Sequence, residues 1–271
     1  MAKEAVTREQ IRQRILALEK EAKFDTHVDP IDFSLAMPVD SSFHYFPVGP
    51  KEHLKRWATM TFGVDPFMVK VANKWEELQV EGRENLKGIK SAIVISNHVQ
   101  MFDCIALKKA MKGHYTHFVA ASFNNMRGQL GDCIRAAGMM PMPTDFLKDL
   151  RYFESNIQRA LDSHHYVAVY PEQSEWWYYE KPRPFKDGAF AWAVKFNVPV
   201  IPCFITFQER KHPDPTPDHM YPLGMTVHIL KPIYPTVGAN PHAERVRLRD
   251  EAFNACKVCY ETYYHKPLRY S

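Results

Sequence analysis

Hydrophobic and polar positions along this chain predict a helical amino-terminal part, followed by a longer part in which strands and helices alternate. Residues 7–22 are predicted to form a helix, because apolar residues, among them Ile11 and Ile15, lie on one face at helical spacing. Thr7 and Gln10 have the spacing of a capping box at its start. The apolar face of this helix is expected to pack on another part of the protein.

A proline-rich segment follows this helix. Residues 29–50 contain four prolines and predict an irregular connection, with a second helix near residues 51–60. From about Trp75 the pattern changes to short runs of Val and Ile between helical stretches, which is typical of an α/β domain. We therefore predict an amino-terminal helical and irregular extension over residues 1–74 and an α/β domain over residues 75–271.

Apolar runs in the second part predict four strands, with helices between and after them. The predicted strands are 91–95, 166–170, 200–207 and 225–230, and the predicted helices are 103–112, 146–162, 186–196 and 242–262. The expected fold is an α/β domain with a mixed, mainly parallel sheet flanked by helices.

Composition narrows the class of protein. The 271 residues are 45% hydrophobic, and 35 Lys and Arg against 31 Asp and Glu give a net charge of +4, which is too small to indicate a nucleic-acid partner. Five cysteines, an odd number, favour reduced thiols and a cytoplasmic protein. Charges in residues 1–10 argue against a signal peptide, and no apolar run nearby has membrane-spanning length, so membrane contact is expected to be peripheral.

Candidate chemistry lies at the end of the first predicted strand. His98 follows Asn97 in a polar turn, and Asp103 begins the next helix. In open α/β sheets ligands gather beyond the carboxyl ends of strands. A carboxylate in the first helical turn can reach back to a loop histidine, fix its tautomer and stabilise its protonated form. Such a histidine, with an ordinary pKa of about 6.5, can take a proton from a hydroxyl near neutral pH.

The spacing of His98 and Asp103 does not decide their role by itself. His27 and Asp32 have the same spacing, but Pro30 lies between them and no apolar strand precedes them, so we interpret that pair as background. From these residues alone, His98 is either a catalytic base or a surface or capping histidine.

Two further blocks connect His98 to a known family. Residues 169–175 read Val-Tyr-Pro-Glu-Gln-Ser-Glu, and residues 198–202 read Val-Pro-Val-Ile-Pro. With Asn97, His98 and Asp103 ahead of them, these blocks resemble the glycerolipid (lysophospholipid) acyltransferase family. That family is marked by Asn-His-four residues-Asp, Phe-Pro-Glu-Gly-Thr-Arg and Val-Pro-Ile-Val-Pro, in this order. The resemblance covers roughly residues 75–235.

The resemblance implies an acyltransferase-type αβ domain in which His98 is the base and Asp103 orients it. It implies acyl-CoA or acyl-carrier protein as co-substrate, with no other cofactor and no metal. A lipid or small-molecule acceptor would receive a fatty acyl group on a hydroxyl, in phospholipid or glycerolipid synthesis, in the cytoplasm or at the inner membrane face as a peripheral protein. The expected substrate-binding residues are Asn97, Glu172, Gln173, Ser174, Lys181, Arg183, Lys186 and Gly188.

The chain departs from the family where a phosphate is expected to bind. Glu175 stands in place of an arginine, and residues 138–144 lack an arginine that normally follows a glycine. Since phosphate recognition relies on Arg or Lys, either Lys181, Arg183 and Lys186 replace these cations, or the acceptor is a non-phosphorylated alcohol or an amine. A non-catalytic acyl-carrier or lipid-binding protein is the alternative outside the enzymes.

Two other motifs were weighed for function. The aromatic run at residues 176–179 is interpreted equally as an acyl pocket, a membrane interface or plain packing. Cys256 and Cys259 have the spacing of a metal pair, but they lie in a predicted helix and no second pair follows, so metal binding is not indicated.

Overall fold

The computed structural model describes residues 8–28, 33–216 and 220–271, and its centre is a seven-stranded sheet. In chain order the strands are β1 Gln79–Glu81, β2 Ala92–Ile95, β3 Thr116–Ala120, β4 Met139–Pro141, β5 Tyr166–Val169, β6 Val200–Gln208 and β7 Gly224–Ile229. Their spatial order is β1-β7-β6-β2-β5-β3-β4. All neighbouring pairs are parallel except β6 with β7, so the predicted mixed, mainly parallel sheet is confirmed.

Helices cover the sheet and precede it. They are α1 Arg8–Lys20, α2 Gly49–Ala58, α3 Asp65–Lys70, α4 Asp103–Ala110, α5 Gly128–Ala136, α6 Phe146–Asp162, α7 Gly188–Phe196 and α8 Pro241–Tyr264. π-helical turns at Thr59–Val64 and Val71–Trp75 join and extend α2 and α3. Residues 49–75 are therefore one helical stretch, longer than the helix predicted near residues 51–60.

The central strand β2 shows how the layers are built. Ile93 and Ile95 belong to an apolar cluster with residues of α6, α7 and α8, whereas Ala92 and Val94 belong to a cluster with residues of α4. Successive side chains of a strand point to opposite faces, so helices bury β2 from both sides. A strand buried on both faces reads as an uninterrupted apolar run, which is why the sequence shows it clearly.

Besides α3, three strands and the helix α5 were not predicted, for local reasons. β1 and β4 have three residues each and lie at the two edges of the sheet, where short strands are usual. β3 begins with two buried polar residues, Thr116 and His117. α5 contains Gly131, a poor helix former, but a Cβ there would lie 1.8 Å from the carbonyl oxygen of Met126, so packing requires the glycine.

The amino-terminal helix packs on the loop that follows β5. Ile11 and Ile15 of α1 contact an apolar cluster that includes Trp176 and Tyr179. The predicted capping residue Thr7 lies outside the described residues, and so does Asp32 of the His27–Asp32 pair. None of the described helices has an apolar stretch long enough to cross a lipid bilayer.

Candidate active site

His98 and Asp103 meet where β2 ends and α4 begins. The Nδ1 atom of His98 lies 2.9 Å from Oδ2 of Asp103, and the Asp103 side chain is fully buried while that of His98 is 21% exposed. The same oxygen accepts hydrogen bonds from the main-chain N–H groups of Val99 at 2.8 Å and Gln100 at 3.2 Å. Because Nδ1 faces the carboxylate, Nε2 is the ring nitrogen that remains for exchanging a proton with a substrate.

Tyr170 completes the surroundings of Asp103, and sequence reasoning did not single it out. Its hydroxyl donates to Oδ1 of Asp103 at 2.7 Å, and its ring stacks on His98 with centroids 4.1 Å apart. Tyr170 directly follows β5, which pairs in parallel with β2, so Ile95 and Val169 are opposite each other. A polar residue after each of two neighbouring parallel strands is the signal that would have found it.

The charge of Asp103 sets the proton affinity of its neighbours. Burial by itself lowers the pKa of His98, but the Asp103 carboxylate and its hydrogen bond outweigh burial, so the pKa of His98 is raised above its usual value. Burial, followed by the charge of Asp103, raises the pKa of Tyr170 well above its usual value. Tyr170 therefore keeps its proton and remains a donor to Asp103.

Asn97 anchors the loop that carries His98. Its Nδ2 donates to the carbonyl of Ile205 at 3.0 Å, and its Oδ1 accepts from the N–H of Ile205 at 2.8 Å. Asn97 is 1% exposed, and Ile205 lies in β6, the other neighbour of β2. The amide of Asn97 thus faces the main chain of the sheet and fixes where the loop leaves it.

A buried ion pair holds the main chain of His98. Oε2 of Glu172 accepts from Nε of Arg183 at 3.0 Å and from Nη2 at 2.8 Å, and both side chains are 1% exposed. The same carboxylate accepts from the N–H of His98 at 3.3 Å, while Nη2 of Arg183 donates to the His98 carbonyl at 3.2 Å. Both polar groups of the His98 main chain are therefore bound by this pair.

The guanidinium of Arg183 donates its remaining hydrogen bonds to other groups of the protein. Its Nη1 donates to the carbonyl of Phe24 at 2.8 Å and to Oγ of Ser174 at 3.0 Å, and Ser174 is itself fully buried. Its plane lies over the ring of Trp176, at 4.7 Å from the ring centroid. An arginine with these partners supports the loop that carries His98 and has little left to offer a phosphate.

The other residues predicted to bind substrate are placed apart from this pair. Lys181 pairs with Glu19 at 2.6 Å, and Lys186 pairs with Asp25 at 2.8 Å. Gly188 is the first residue of α7. Gln173 is exposed and has a φ of 69°, in the left-handed region that favours glycine, which is the residue that the family block has at this position.

The aromatic residues 176–179 lie against the loop that carries His98. Trp176 is fully buried, and its Nε1 donates to the carbonyl of Thr26 at 2.9 Å. The N–H groups of Trp176 and Tyr178 donate to the carbonyls of His98 at 3.0 Å and Val99 at 2.9 Å. Residues 172–183 thus hold the loop that carries His98 in place through main-chain and side-chain hydrogen bonds.

Another buried carboxyl group near His98, that of Glu76, was also not predicted. It is fully buried, and within the described parts of the chain neither of its carboxyl oxygens has a hydrogen-bond partner. Burial raises its pKa well above the usual value, and the nearby charge of Asp103 raises it further. Both effects favour the uncharged form of the Glu76 carboxyl group.

No metal centre was found in residues 8–28, 33–216 and 220–271, where no three His, Cys, Asp or Glu side chains come close enough to hold an ion. The site is a mostly buried imidazole that is oriented by a buried carboxylate at the carboxyl ends of parallel strands. Its chemistry is proton transfer to and from a substrate group.

Comparisons with known proteins indicate a family and a fold. Residues 77–206 match a protein family described as Acyltransferase, and that range contains His98, Asp103, Glu172 and Arg183. No curated protein matches the chain significantly. The crystal structure of the 1-acyl-sn-glycerophosphate acyltransferase PlsC from Thermotoga maritima is similar, with a TM-score of 0.55 and 18% identity over 84% of this chain and 89% of that chain. At this identity the structural likeness shows a shared fold.

Proposed function

The chain belongs to the acyltransferase family, and from that premise we propose that it moves a fatty acyl group from a thioester donor to an acceptor hydroxyl in glycerolipid synthesis. The proposed donor is acyl-CoA or acyl-carrier protein. One observation carries this proposal. His98 is oriented by a buried carboxylate at 2.9 Å, and every other bond that the structure gives this carboxylate comes from a fixed donor.

The proposed reaction is a direct transfer. Nε2 of His98 takes the proton of the acceptor hydroxyl as its oxygen attacks the thioester carbonyl. Asp103 stabilises the imidazolium that forms, and the amino end of α4 favours the negative charge on the tetrahedral oxygen. The carbon–sulfur bond then breaks, and the leaving thiolate receives the proton from His98. The products are an ester and a free thiol.

Attachment to a membrane surface is part of the same proposal. The helical stretch at residues 49–75 exposes large apolar side chains, among them Trp57 at 56% and Phe62 at 74%, and it carries the exposed lysines Lys51 and Lys55. Apolar side chains beside lysines suit the surface of an anionic bilayer. We propose that the protein binds the inner membrane face peripherally from the cytoplasm, where a lipid acceptor would be reached.

The test of the reaction is a comparison of purified wild-type protein with His98→Ala. Both are incubated with long-chain acyl-CoA and a panel of phosphorylated alcohols, non-phosphorylated alcohols and amines, and acylated products are detected by mass spectrometry. We expect an ester product from wild type and a rate lower by about a hundred- to ten-thousand-fold in the variant, which is the contribution of a general base.

A matched control keeps this test specific. His117→Asn changes a buried histidine at the start of β3, away from the carboxyl ends of the strands, and is expected to retain the activity. A folded His98→Ala protein as active as wild type would refute the role of His98. An amide from an amine acceptor as the sole product would refute the hydroxyl acceptor.

A further inference from the structure

Tyr170 contacts both members of the His98–Asp103 pair. Its hydroxyl donates to Oδ1 of Asp103 at 2.7 Å, while Nδ1 of His98 lies 2.9 Å from Oδ2 of the same carboxylate. The centroid of its ring lies 4.1 Å from that of His98, and the two ring planes differ by 16°. Tyr170 therefore contacts the imidazole through its ring and the carboxylate through its hydroxyl.

The hydroxyl is a departure from the family block that this segment resembles. Residues 170–172 read Tyr-Pro-Glu, where that block reads Phe-Pro-Glu. A phenylalanine at this position has the same ring to stack on His98, but it has no donor for a carboxylate oxygen. Comparison with the family block therefore predicts the stacked ring and does not predict the hydrogen bond to Asp103.

Asp103 has two opposite effects on a base at His98. It orients the imidazole and stabilises the imidazolium that forms during the reaction. Burial lowers the pKa of His98, but the charge of Asp103 and its hydrogen bond outweigh burial and raise it. A larger fraction of His98 then carries a proton near neutral pH, and a protonated imidazole does not act as a base.

The hydrogen bond from Tyr170 opposes the second of these effects. A hydrogen bond to an ionised carboxylate is stronger than one to a carboxylate whose charge is neutralised by another partner. The hydroxyl of Tyr170 therefore stabilises the Asp103 carboxylate more when His98 is neutral than when an imidazolium lies against the other oxygen. Burial and the charge of Asp103 raise the pKa of Tyr170, so the hydroxyl keeps its proton and remains a donor.

Other charged groups act on His98 as well. The titratable and charged groups around it come from α4 and from the segment that follows β5, and they are Asp103, Tyr170, Glu172, Glu175 and Arg183. Glu76 interacts electrostatically with Asp103, but burial, followed by that interaction, favours its uncharged form. Because Tyr170 is a neutral donor, removing its hydroxyl changes the hydrogen bonding of Asp103 and leaves the charges around His98 in place.

We propose that Tyr170 is a positioning residue for the acyl transfer, and that its hydroxyl offsets part of the charge of Asp103, so that His98 is oriented and still available as a base at neutral pH. This inference rests on the proposed role of His98. The ring of Tyr170 holds the plane of the imidazole, and its hydroxyl sets the pH range in which the imidazole accepts a proton.

The experiment compares the pH dependence of kcat/KM in wild type and Tyr170→Phe, which keeps the ring and removes the hydroxyl. We expect the midpoint of the rise in activity to move to higher pH by about half a unit to one unit. Near pH 6 the rate should then fall about threefold to tenfold, whereas the rate at high pH should change little. Replacing the Tyr170 side chain by 3-fluorotyrosine, whose hydroxyl is a stronger donor, should move the midpoint to lower pH.

Tyr166→Phe is the matched control, at the other end of β5. The ring of Tyr166 stacks on His114 with centroids 4.3 Å apart, and its hydroxyl donates to the carbonyl of Ile89 at 2.9 Å. The control therefore removes a tyrosine hydroxyl beside a histidine, but this hydroxyl binds a main-chain carbonyl instead of the Asp103 carboxylate. The midpoint of the pH profile should stay where it is in wild type.

The protonation of His98 is measured directly, so that this inference and the proposed reaction fail independently. The histidine Cε1–H signals are followed by NMR against pH, and the signal that His98→Ala lacks is assigned to His98. The pKa of His98 should be higher in Tyr170→Phe than in wild type. An equal or lower pKa would overturn the inference, and so would a loss of activity at every pH with an unchanged midpoint. The expected shift in a protein that acylates no acceptor would refute only the proposed reaction.

Discussion

Two buried carboxyl groups near His98 differ in their hydrogen bonding: that of Glu172 is fully engaged and that of Glu76 is not. Glu172 accepts hydrogen bonds from Arg183 and from the main chain of His98. The carboxyl oxygens of Glu76 accept none from the residues that the structure describes. Burial raises the pKa of both, but the guanidinium of Arg183 stabilises the ionised form of Glu172. Because a buried arginine keeps its proton, Arg183 favours the charged form of Glu172, whereas burial and the charge of Asp103 favour the uncharged form of Glu76.

The difference in hydrogen bonding gives the two buried acids different effects on the protein. The Glu172 carboxylate accepts directly from the N–H of His98, and its partner Arg183 donates to the His98 carbonyl, so the charged pair holds the main chain of His98. Glu76 contributes no such bond, and keeping it uncharged in the folded state costs free energy at neutral pH. Three substitutions test this comparison, in order of decreasing expected effect.

The largest effect is expected from Arg183→Met, which removes the partner of Glu172. An unpaired charge would remain buried, so the free energy of unfolding should fall by about 3–5 kcal/mol, measured by urea denaturation. Adding Glu172→Gln should recover part of the loss, because no buried charge would remain. Lys266→Met, which breaks an exposed pair with Glu180, is the matched control and should have little effect. Equal losses for Arg183→Met and this control would show that the buried pair has no special weight.

A smaller effect, on rate, is expected from Asp103→Asn. The rate should fall about a hundredfold or more, because the imidazolium loses its carboxylate and the tautomer of His98 is no longer fixed. A base acts in its unprotonated form, so wild-type activity should rise with pH through the raised pKa of His98. In the variant this rise should move to lower pH, because the charge that raises the pKa is gone. A pH–rate profile with an unchanged midpoint would contradict the assigned role of Asp103.

The smallest effect is expected from Glu76→Gln, and it should be stabilising. The pKa of Glu76 is higher in the folded than in the unfolded protein, so its contribution to stability is lost progressively as pH rises above the unfolded value of about 4.5. The variant should therefore match wild type near pH 4 and exceed it by about 1 kcal/mol or more near pH 7. Thermal unfolding at both pH values measures this. A difference that does not change with pH would mean that Glu76 is ionised in the folded protein.

The sequence showed the parts of the fold and the site that depend on local order. β2 is a continuous apolar run because both of its faces are buried, and Asp103 follows His98 by only five residues, so their meeting requires only a turn and a helix start. The predictions that β2 is a strand and that a helix begins at Asp103 are both confirmed. The acyltransferase resemblance is confirmed by the match at residues 77–206.

The features of the site that were not predicted from the sequence depend on contacts between residues that are distant in the chain. Tyr170 reaches Asp103 across 67 positions, and Arg183 reaches the carbonyl of His98 across 85. The sequence does not distinguish Lys181, Arg183 and Lys186, which all lie in one basic segment. Only Arg183 is buried in the structure, where Glu172, Ser174 and Phe24 accept its hydrogen bonds. Which cation is buried is decided by tertiary packing, and neither periodicity nor spacing encodes that packing.

The position of β2 also has a consequence for biosynthesis. Its two neighbours in the sheet, β5 and β6, both follow it in the chain, and the second of them ends at Gln208. Translation proceeds from the amino terminus, so four fully apolar residues of β2 emerge from the ribosome long before either pairing partner exists. This strand must stay shielded until Gln208, the last residue of β6, has been made, and we expect chaperone binding to be strongest during that interval.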